Sequence, residues 1–278
     1  MERRTRKLQK ILDEHGVPGV ARHLVGAARR RLDPKWRRRM RQYAAKQRAD
    51  EDFDRRYRVN TSGDTPLHEA GISQYDLERG NGLYRPVSED LFQEAMSLLK
   101  IDASDFTFVD YGSGKGKVLV MASHLPFRKV IGIEFSPVLH EAALANLRNF
   151  HSIDRRCVEI SALCGDAIKY SPPVGPLICF FFNPFSPEVW VRVLEKLRSS
   201  WKAEPRPLYI VYTNQRTVEE LGTVLSDCDF LEPYAQRPGV LVYRAQHRHS
   251  DGLSLRSGHS AGSGLCSLTE VDSAISHG

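Results

Sequence analysis

The feature that most constrains the fold is a regular alternation of short apolar segments and helix-like segments after residue 106. Seven segments resemble buried strands: Thr107–Tyr111, Lys129–Phe135, Cys157–Leu163, Leu177–Phe182, Leu208–Thr213, Asp229–Tyr234 and Val240–Arg244. Four helices are predicted between them: Lys117–Leu125, Pro137–Phe150, Pro187–Ser200 and Val218–Ser226. This alternation is typical of a parallel sheet with helices on both faces. Only Ala235–Gly239 separates the last two strands, so we expect them to form an antiparallel hairpin.

The charge divides the chain unequally. Residues 1–50 contain 16 Lys and Arg against five Asp and Glu, whereas the remaining 228 residues contain 24 against 29. The basic charge therefore belongs to an N-terminal extension, and the rest is mildly acidic. We expect a basic helical extension over residues 1–60, a loop or lid segment over 61–86, a folded domain over 87–246 and a flexible tail over 247–278.

Cysteine usage and hydropathy indicate the compartment. The five cysteines (Cys157, Cys164, Cys179, Cys228 and Cys266) contain no CxxC pair and no His-spaced metal pattern. We therefore expect a reducing environment, no disulfide scaffold and no metal site. No apolar run approaches the roughly 20 residues of a membrane-spanning helix, and no secretory signal is evident. The sequence thus predicts a cytoplasmic protein without a membrane span.

A glycine-rich loop follows the first strand. In Phe108–Gly116, glycines at positions 112, 114 and 116 let the backbone turn tightly and approach a ligand. The pattern is not a phosphate-binding P-loop, because Val118 follows Gly116-Lys117 where Ser or Thr is needed. It is not the dinucleotide pattern G-x-G-x-x-G either, because Lys117 occupies the last glycine position.

Polar residues also follow the next three strands. Glu134 ends the second strand, 20 residues beyond Gly114, where a carboxylate can accept both hydroxyls of a ribose. Cys164-Gly-Asp166 follows the third strand, and Asn183-Pro-Phe185 follows the fourth. Because ligands bind at the carboxyl ends of parallel strands, we expect these residues to form one site.

The motif D-x-G-x-G-x-G at Asp110–Gly116 resembles motif I of the class I S-adenosylmethionine-dependent methyltransferases. The resemblance covers residues 84–246 and implies a Rossmann-like, doubly wound, mainly parallel seven-stranded sheet with a terminal antiparallel hairpin. It implies S-adenosylmethionine as the cofactor, with an acid near the loop receiving the methionine ammonium and Asp166 lying beside the adenine. The implied cofactor-binding residues are Asp110, Gly112, Ser113, Gly114, Gly116, Glu134, Phe135, Asp166, Ala167 and Asn183.

The segment Asn183-Pro184-Phe185 resembles the [DN]-P-P-[FYW] signature of amine-directed methyltransferases, with one proline instead of two. The resemblance implies that the Asn183 oxygen and the Pro184 carbonyl accept hydrogen bonds from an acceptor nitrogen. Phe185 would stack on the substrate or contact a cation. These three residues are the predicted catalytic residues.

Several functions remain open at this point. The first is N-methylation of a protein or another amine. The second is methylation of a nucleic acid that the basic extension docks, and the third is a cofactor-binding regulator without catalysis. The segment Phe53–Pro86 lies where many relatives place a lid, with Tyr57, Thr61, Tyr84 and Pro86 as candidate lining residues, although a packed helix cap is an equal alternative.

Overall fold

The computed structural model describes residues 9–10, 12–15, 17, 20, 33–66, 68–70, 72, 83–213 and 224–246, and nine strands and five helices have both ends defined within them. The strands are β1 Thr65–Pro66, β2 Leu83–Tyr84, β3 Thr107–Tyr111, β4 Lys129–Glu134, β5 Ile160–Cys164, β6 Leu177–Phe181, β7 Leu208–Thr213, β8 Leu231–Arg237 and β9 Val240–Ala245. The helices are α1 Pro34–Tyr57, α2 Glu89–Ser97, α3 Lys117–Ala122, α4 Pro137–Asn149 and α5 Pro187–Ala203. A short 3-10 helix spans Ala103–Asp105. The predicted tail and most of the predicted helix Val218–Ser226 lie outside the described residues.

The central sheet has the strand order β5-β4-β3-β6-β7-β9-β8. Strands β3 to β7 pair in parallel, and β9 runs antiparallel to both β7 and β8. The predicted fold class is therefore confirmed, including the terminal hairpin. From β3 the sheet extends through β4 and β5 on one side and through β6 and β7 on the other, so the strand order reverses between β3 and β6. Doubly wound sheets bind ligands at this reversal point.

Two predicted strands are displaced from their observed positions. Residues 156 and 157 donate backbone hydrogen bonds to the Ser123 carbonyl at the end of α3, so β5 begins at Ile160 instead of Cys157. In β8, turn hydrogen bonds hold residues 228–231, and the strand begins at Leu231 and continues through a bulge between Pro233 and Ala235. The other predicted strands differ from the observed ones by at most one residue at each end.

Caps explain where the helices begin. The Ser88 and Ser136 hydroxyls accept backbone hydrogen bonds from Leu91 and Leu139, as expected of N-caps. Proline follows Ser136 and Ser186 at the first helical position, where its missing N–H is not needed. Helix α3 ends earlier than predicted because its last turn tightens into hydrogen bonds between residues three apart.

The core lies on both faces of the sheet. Alternate residues of β3 point to opposite faces, so Val109 and Tyr111 pack with Trp190 of α5, while Phe108 packs with Phe92 of α2. Phe53 of α1 is fully buried and belongs to the same hydrophobic cluster as Phe108 and Phe92. In the described part of the chain, no helix is both long and apolar enough to cross a membrane.

Candidate active site

The glycine loop closes onto the neighbouring strand. The backbone N–H groups of Gly112 and Ser113 both donate to the Ile133 carbonyl, over 2.9 and 3.0 Å. Gly112 and Gly114 have φ of 84° and 54°, in the left-handed region that favours glycine. A Cβ on Gly114 would lie 2.2 Å from the Tyr84 ring, and one on Gly112 would lie 2.7 Å from the Pro184 Cβ. The loop thus needs glycine for both its conformation and its close contacts.

Asp110 is the last but one residue of β3, and its side chain lines a pocket above the loop. The residue is 2% exposed, and its Oδ2 has no hydrogen-bond partner among the described residues. Burial, and then the nearby Glu134 carboxylate, raise the pKa of Asp110 well above its usual value. A buried carboxylate oxygen without a donor is costly, so this position suits a cationic hydrogen-bond donor from a ligand.

Glu134 ends β4 and faces the same pocket. Its Oε2 accepts the N–H of Gly114 over 2.7 Å, and its Oε1 accepts the N–H of Ser136 over 2.8 Å. Burial raises the pKa of Glu134, although these backbone hydrogen bonds oppose the shift. The two bonds fix the carboxylate, and each oxygen keeps acceptor capacity for a hydroxyl group.

The loop after β5 contributes the third part of the pocket wall. The Gly165 N–H donates to the Glu134 carbonyl over 2.9 Å, which holds this loop beside β4. Asp166 Oδ1 accepts the Ile168 N–H over 3.0 Å. Ala167 is buried, while Phe135 is 40% exposed at the same wall. Apolar side chains beside one carboxylate suit an aromatic ring that carries a hydrogen-bond donor at its edge.

The segment after β6 forms the opposite wall. Asn183 has φ of 48°, a left-handed conformation that asparagine tolerates better than most residues. Its Oδ1 accepts a hydrogen bond from the Tyr212 hydroxyl over 3.1 Å. Phe185 packs its ring against Phe181 and Trp190, with centroids 6.2 and 6.0 Å apart.

The structure brings nearly all the predicted site residues to one pocket. Asp110, Gly112, Ser113, Gly114, Glu134, Phe135, Asp166, Ala167, Asn183, Pro184 and Phe185 line it together. Gly116 is not among its lining residues. It precedes α3 as the N-cap residue, with φ of 82°, and a Cβ there would lie 3.3 Å from the Ala143 Cβ. In this structure Gly116 serves the packing of two helices.

The predicted lid residues divide between two regions. Tyr84 and Pro86 line the pocket, and the Tyr84 hydroxyl donates to the Thr61 carbonyl over 2.8 Å. Thr61 lies behind this wall, where its hydroxyl donates to Asp54 over 2.7 Å. Tyr57 packs elsewhere, against His124 with centroids 5.0 Å apart. The described part of the segment is thus held by specific hydrogen bonds as well as by packing.

A buried ion pair that the sequence pattern does not predict joins α1 to the pocket. Lys117 Nζ lies 2.5 Å from Asp50 Oδ1, and both side chains are at most 4% exposed. Lys46 donates to Asp50 over 2.7 Å and to the Pro86 carbonyl over 2.8 Å. Lys117 and Pro86 both line the pocket. A charged helix predicts a solvated surface, so only the tertiary structure could reveal this contact.

Within the described residues, no group of three or more His, Cys, Asp or Glu side chains is arranged to hold a metal ion. Cys157, Cys164, Cys179 and Cys228 are not in disulfides.

Comparison with known proteins gave structural neighbours only. No family model matches the chain, and no curated protein matches it. A putative methyltransferase from Escherichia coli is similar at 15% identity and a TM-score of 0.43, covering 59% of this chain and 89% of that one. An RNA methyltransferase from Salinibacter ruber, solved with S-adenosyl-L-homocysteine, shares 18% identity at a TM-score of 0.34 and covers 58% and 92%. Precorrin 8W decarboxylase from Methanobacterium thermoautotrophicum shares 16% identity at a TM-score of 0.41 and covers 59% and 92%.

These elements define a Rossmann-like α/β fold with a seven-stranded mixed sheet and a pocket where the strand order reverses. Such folds carry many unrelated activities, so the reaction depends on the residues of the pocket and not on the fold.

Proposed function

We propose that the protein is an S-adenosylmethionine-dependent methyltransferase that methylates nitrogen in a protein or another amine. The observation that carries the proposal is the pair of buried carboxylates at the carboxyl ends of neighbouring strands. Asp110 Oδ2 has no hydrogen-bond partner within the described ranges of the chain, and Glu134 is fixed by two backbone N–H groups. Two carboxylates favour a cationic ligand with hydroxyl groups and disfavour the pyrophosphate of a dinucleotide.

The pocket residues fit the three parts of this cofactor. Asp110 would accept the methionine ammonium, and Glu134 would accept the ribose hydroxyls. Phe135, Asp166 and Ala167 would contact the adenine, with the carboxylate near its exocyclic amine. The glycines of the loop have no side chains, so a ligand can lie directly against the backbone.

When bound, the cofactor supplies a methyl group activated by its sulfonium sulfur, which leaves as a neutral thioether. The Asn183 side-chain oxygen and the Pro184 carbonyl would accept N–H bonds from the acceptor and aim its nitrogen lone pair at that methyl. Phe185 would bound the acceptor site with an aromatic surface. Orientation is the main task, because the leaving group is already activated.

Isothermal calorimetry tests the cofactor assignment. We expect wild-type protein to bind S-adenosylmethionine and Glu134→Ala to weaken binding about 100-fold, because two charge-assisted hydrogen bonds are lost. Glu94→Ala, which removes an exposed carboxylate on α2, is the matched control and should change nothing. Absence of binding to the wild type would contradict the proposal.

Transfer of a labelled methyl group into a cell extract tests the reaction, and fractionation of the product identifies the acceptor class. A wild-type protein that binds the cofactor but labels no amine, protein or nucleic acid would instead support the regulator alternative.

A second candidate is methylation of a nucleic acid, and α1 provides the observation that favours it. Residues 34–49 contain seven Lys and Arg and no Asp or Glu, and most of their side chains are exposed. This density of positive charge is complementary to a phosphate backbone. The candidate differs from the first in its acceptor and shares its cofactor.

A further inference from the structure

We propose that the first turns of α1 bind single-stranded nucleic acid through a stripe of Trp36, Met40 and Tyr43 that contacts unpaired bases, independently of the cofactor proposed for the pocket. The three residues are four and three positions apart, so their side chains follow one side of the helix. Met40 and Tyr43 are 42% and 41% exposed, and Trp36 is partly exposed. This stripe therefore offers aromatic and apolar surface to a ligand from solution.

The hydroxyl end of Tyr43 is held in place, while its ring remains at the surface. The Gln47 side-chain amide donates to the Tyr43 hydroxyl over 3.1 Å, and this hydroxyl donates to Asp64 Oδ2 over 3.5 Å. Gln47 follows Tyr43 by one helical turn and continues the same side of α1. A side chain that is already ordered loses less conformational entropy when a base stacks on it.

Cations border the stripe on both sides. Arg39 and Arg41 precede and follow Met40, so they project about 100° to either side of it around the helix. Both arginines are exposed, and residues 34–49 contain no Asp or Glu that would repel a phosphate. Single-stranded nucleic acids bind where basic side chains contact the backbone and aromatic rings stack on the bases. The two features occur together on this part of α1.

Two other anionic partners fit this surface less well. In a duplex the bases already stack on one another, so Trp36 and Tyr43 would add little to the phosphate contacts. A helix that lies in a membrane surface needs a broad apolar face, but residues 34–49 contain no Leu, Ile, Val or Phe. Phe53, the next large apolar residue of α1, is fully buried in the domain.

Tryptophan fluorescence reports on the stripe directly. The sequence contains three tryptophans, and Trp190 and Trp201 are buried in the core. Trp36 is therefore the tryptophan on which an added base can stack. We expect oligouridylate and oligothymidylate to quench the fluorescence of the wild type. They should leave the fluorescence of Trp36→Phe unchanged.

Fluorescence anisotropy with the same strands, labelled, measures affinity. We expect the pair Trp36→Ala and Tyr43→Ala to weaken binding of both strands about 30-fold, the lower end of the range for two stacked bases. The slope of log K against log salt should stay unchanged, because no charge is removed. The pair Trp36→Phe and Tyr43→Phe keeps both rings and should bind nearly as well as the wild type. Thermal unfolding verifies that each variant is folded.

An oligoadenylate–oligouridylate duplex and vesicles containing phosphatidylserine complete the test. The alanine pair should leave duplex binding unchanged. Equal losses for single strands and duplex, equal affinities of the alanine and phenylalanine pairs, or failure of the wild type to bind either strand would overturn base stacking on α1. A blue shift of Trp36 emission with vesicles, without quenching by the strands, would assign the surface to anionic lipid instead.

Binding of S-adenosylhomocysteine, measured by calorimetry, separates this surface from the pocket. We expect all four substitutions on α1 to leave it unchanged, because Trp36 and Tyr43 do not line the pocket. Failure of the strands to bind would leave the cofactor assignment intact, and failure of S-adenosylhomocysteine to bind would overturn the proposed function alone.

Discussion

At the scale of single residues, Asp110 places a buried carboxyl group in the pocket wall at a cost in stability. Its side chain is buried, and its Oδ2 has no hydrogen-bond partner in the part of the chain that the structure describes. Its pKa lies well above the usual value because of burial and then Glu134. The folded protein therefore binds the Asp110 proton more tightly than the unfolded chain does. Its contribution to stability is complete below the unfolded pKa of about 3.9 and is lost as the pH rises through the folded pKa.

We expect Asp110→Asn to remove the loss of stability that Asp110 causes as the pH rises. The ligand-free variant should be more stable than the wild type near pH 8, by about 1–3 kcal/mol, and similar to it near pH 4. Its affinity for S-adenosylmethionine should nevertheless fall, because in the proposed function the Asp110 carboxylate receives the methionine ammonium. Thermal unfolding between pH 4 and 8 and calorimetry measure the two effects.

Asp105→Asn is the control for this prediction, since Asp105 is exposed in the short 3-10 helix before β3. It should leave both the pH dependence and the affinity unchanged. An Asp110→Asn variant with the same pH dependence as the wild type would show that Asp110 is not the group responsible.

At the scale of elements, α1 is divided into two parts with different environments. Its last two turns contain the buried residues Asp50, Phe53 and Asp54. Asp54 accepts hydrogen bonds from the backbone of Thr61 and Ser62, and so fixes the turn that follows the helix. This end of α1 packs as part of the α/β domain, whereas in its first four turns most side chains are exposed.

We expect Asp50→Asn to destabilise the protein by about 3–5 kcal/mol, because it leaves Lys117 buried without its counter-charge. Asp52→Asn breaks an exposed pair with Arg55 on the same helix and should cost less than about 1 kcal/mol. Urea unfolding of the two variants measures the difference. Equal, small losses in the free energy of unfolding for both variants would mean that the pair of Asp50 and Lys117 does not stabilise the domain.

The elements differ in how well sequence predicts them. The strands and the glycine loop have local signals, namely continuous apolar runs and glycines at fixed spacing, and five strands were placed to within one residue. The buried face of α1 has no such signal, because two of its three buried residues are aspartates. The contact of Tyr212 with Asn183 depends on the register of β6 and β7, which only the folded sheet determines.

At the scale of the whole molecule, positive and negative charge are concentrated in different parts of the described chain. The pocket is lined by the carboxylates Asp110, Glu134 and Asp166, which suits a cationic cofactor. The positive charge is concentrated in residues 1–50, and seven of the eight Lys and Arg described there lie on α1. The basic character of the chain therefore comes from its first 50 residues and not from the pocket.

The spacing of the cations on α1 allows a quantitative test of a nucleic-acid partner. Arg37, Arg41 and Arg48 are four and seven residues apart, so they follow one side of the helix over about 16 Å. We expect replacement of all three by glutamine to weaken binding of a fluorescent single-stranded RNA at low salt. It should also reduce the slope of log K against log salt by about 2, since each phosphate contact on a single strand contributes about 0.7.

A control variant distinguishes the effect of net charge on RNA binding from the effect of how the cations are arranged along α1. A triple variant with Arg148→Gln, Arg192→Gln and Lys202→Gln has the same net charge, but it removes exposed cations from α4 and α5 that do not form one stripe. It should retain nearly the wild-type slope, because dispersed cations cannot follow one phosphate backbone. Equal slopes for the two triple variants would contradict docking by α1, and the methyl acceptor would then be sought among proteins and small amines.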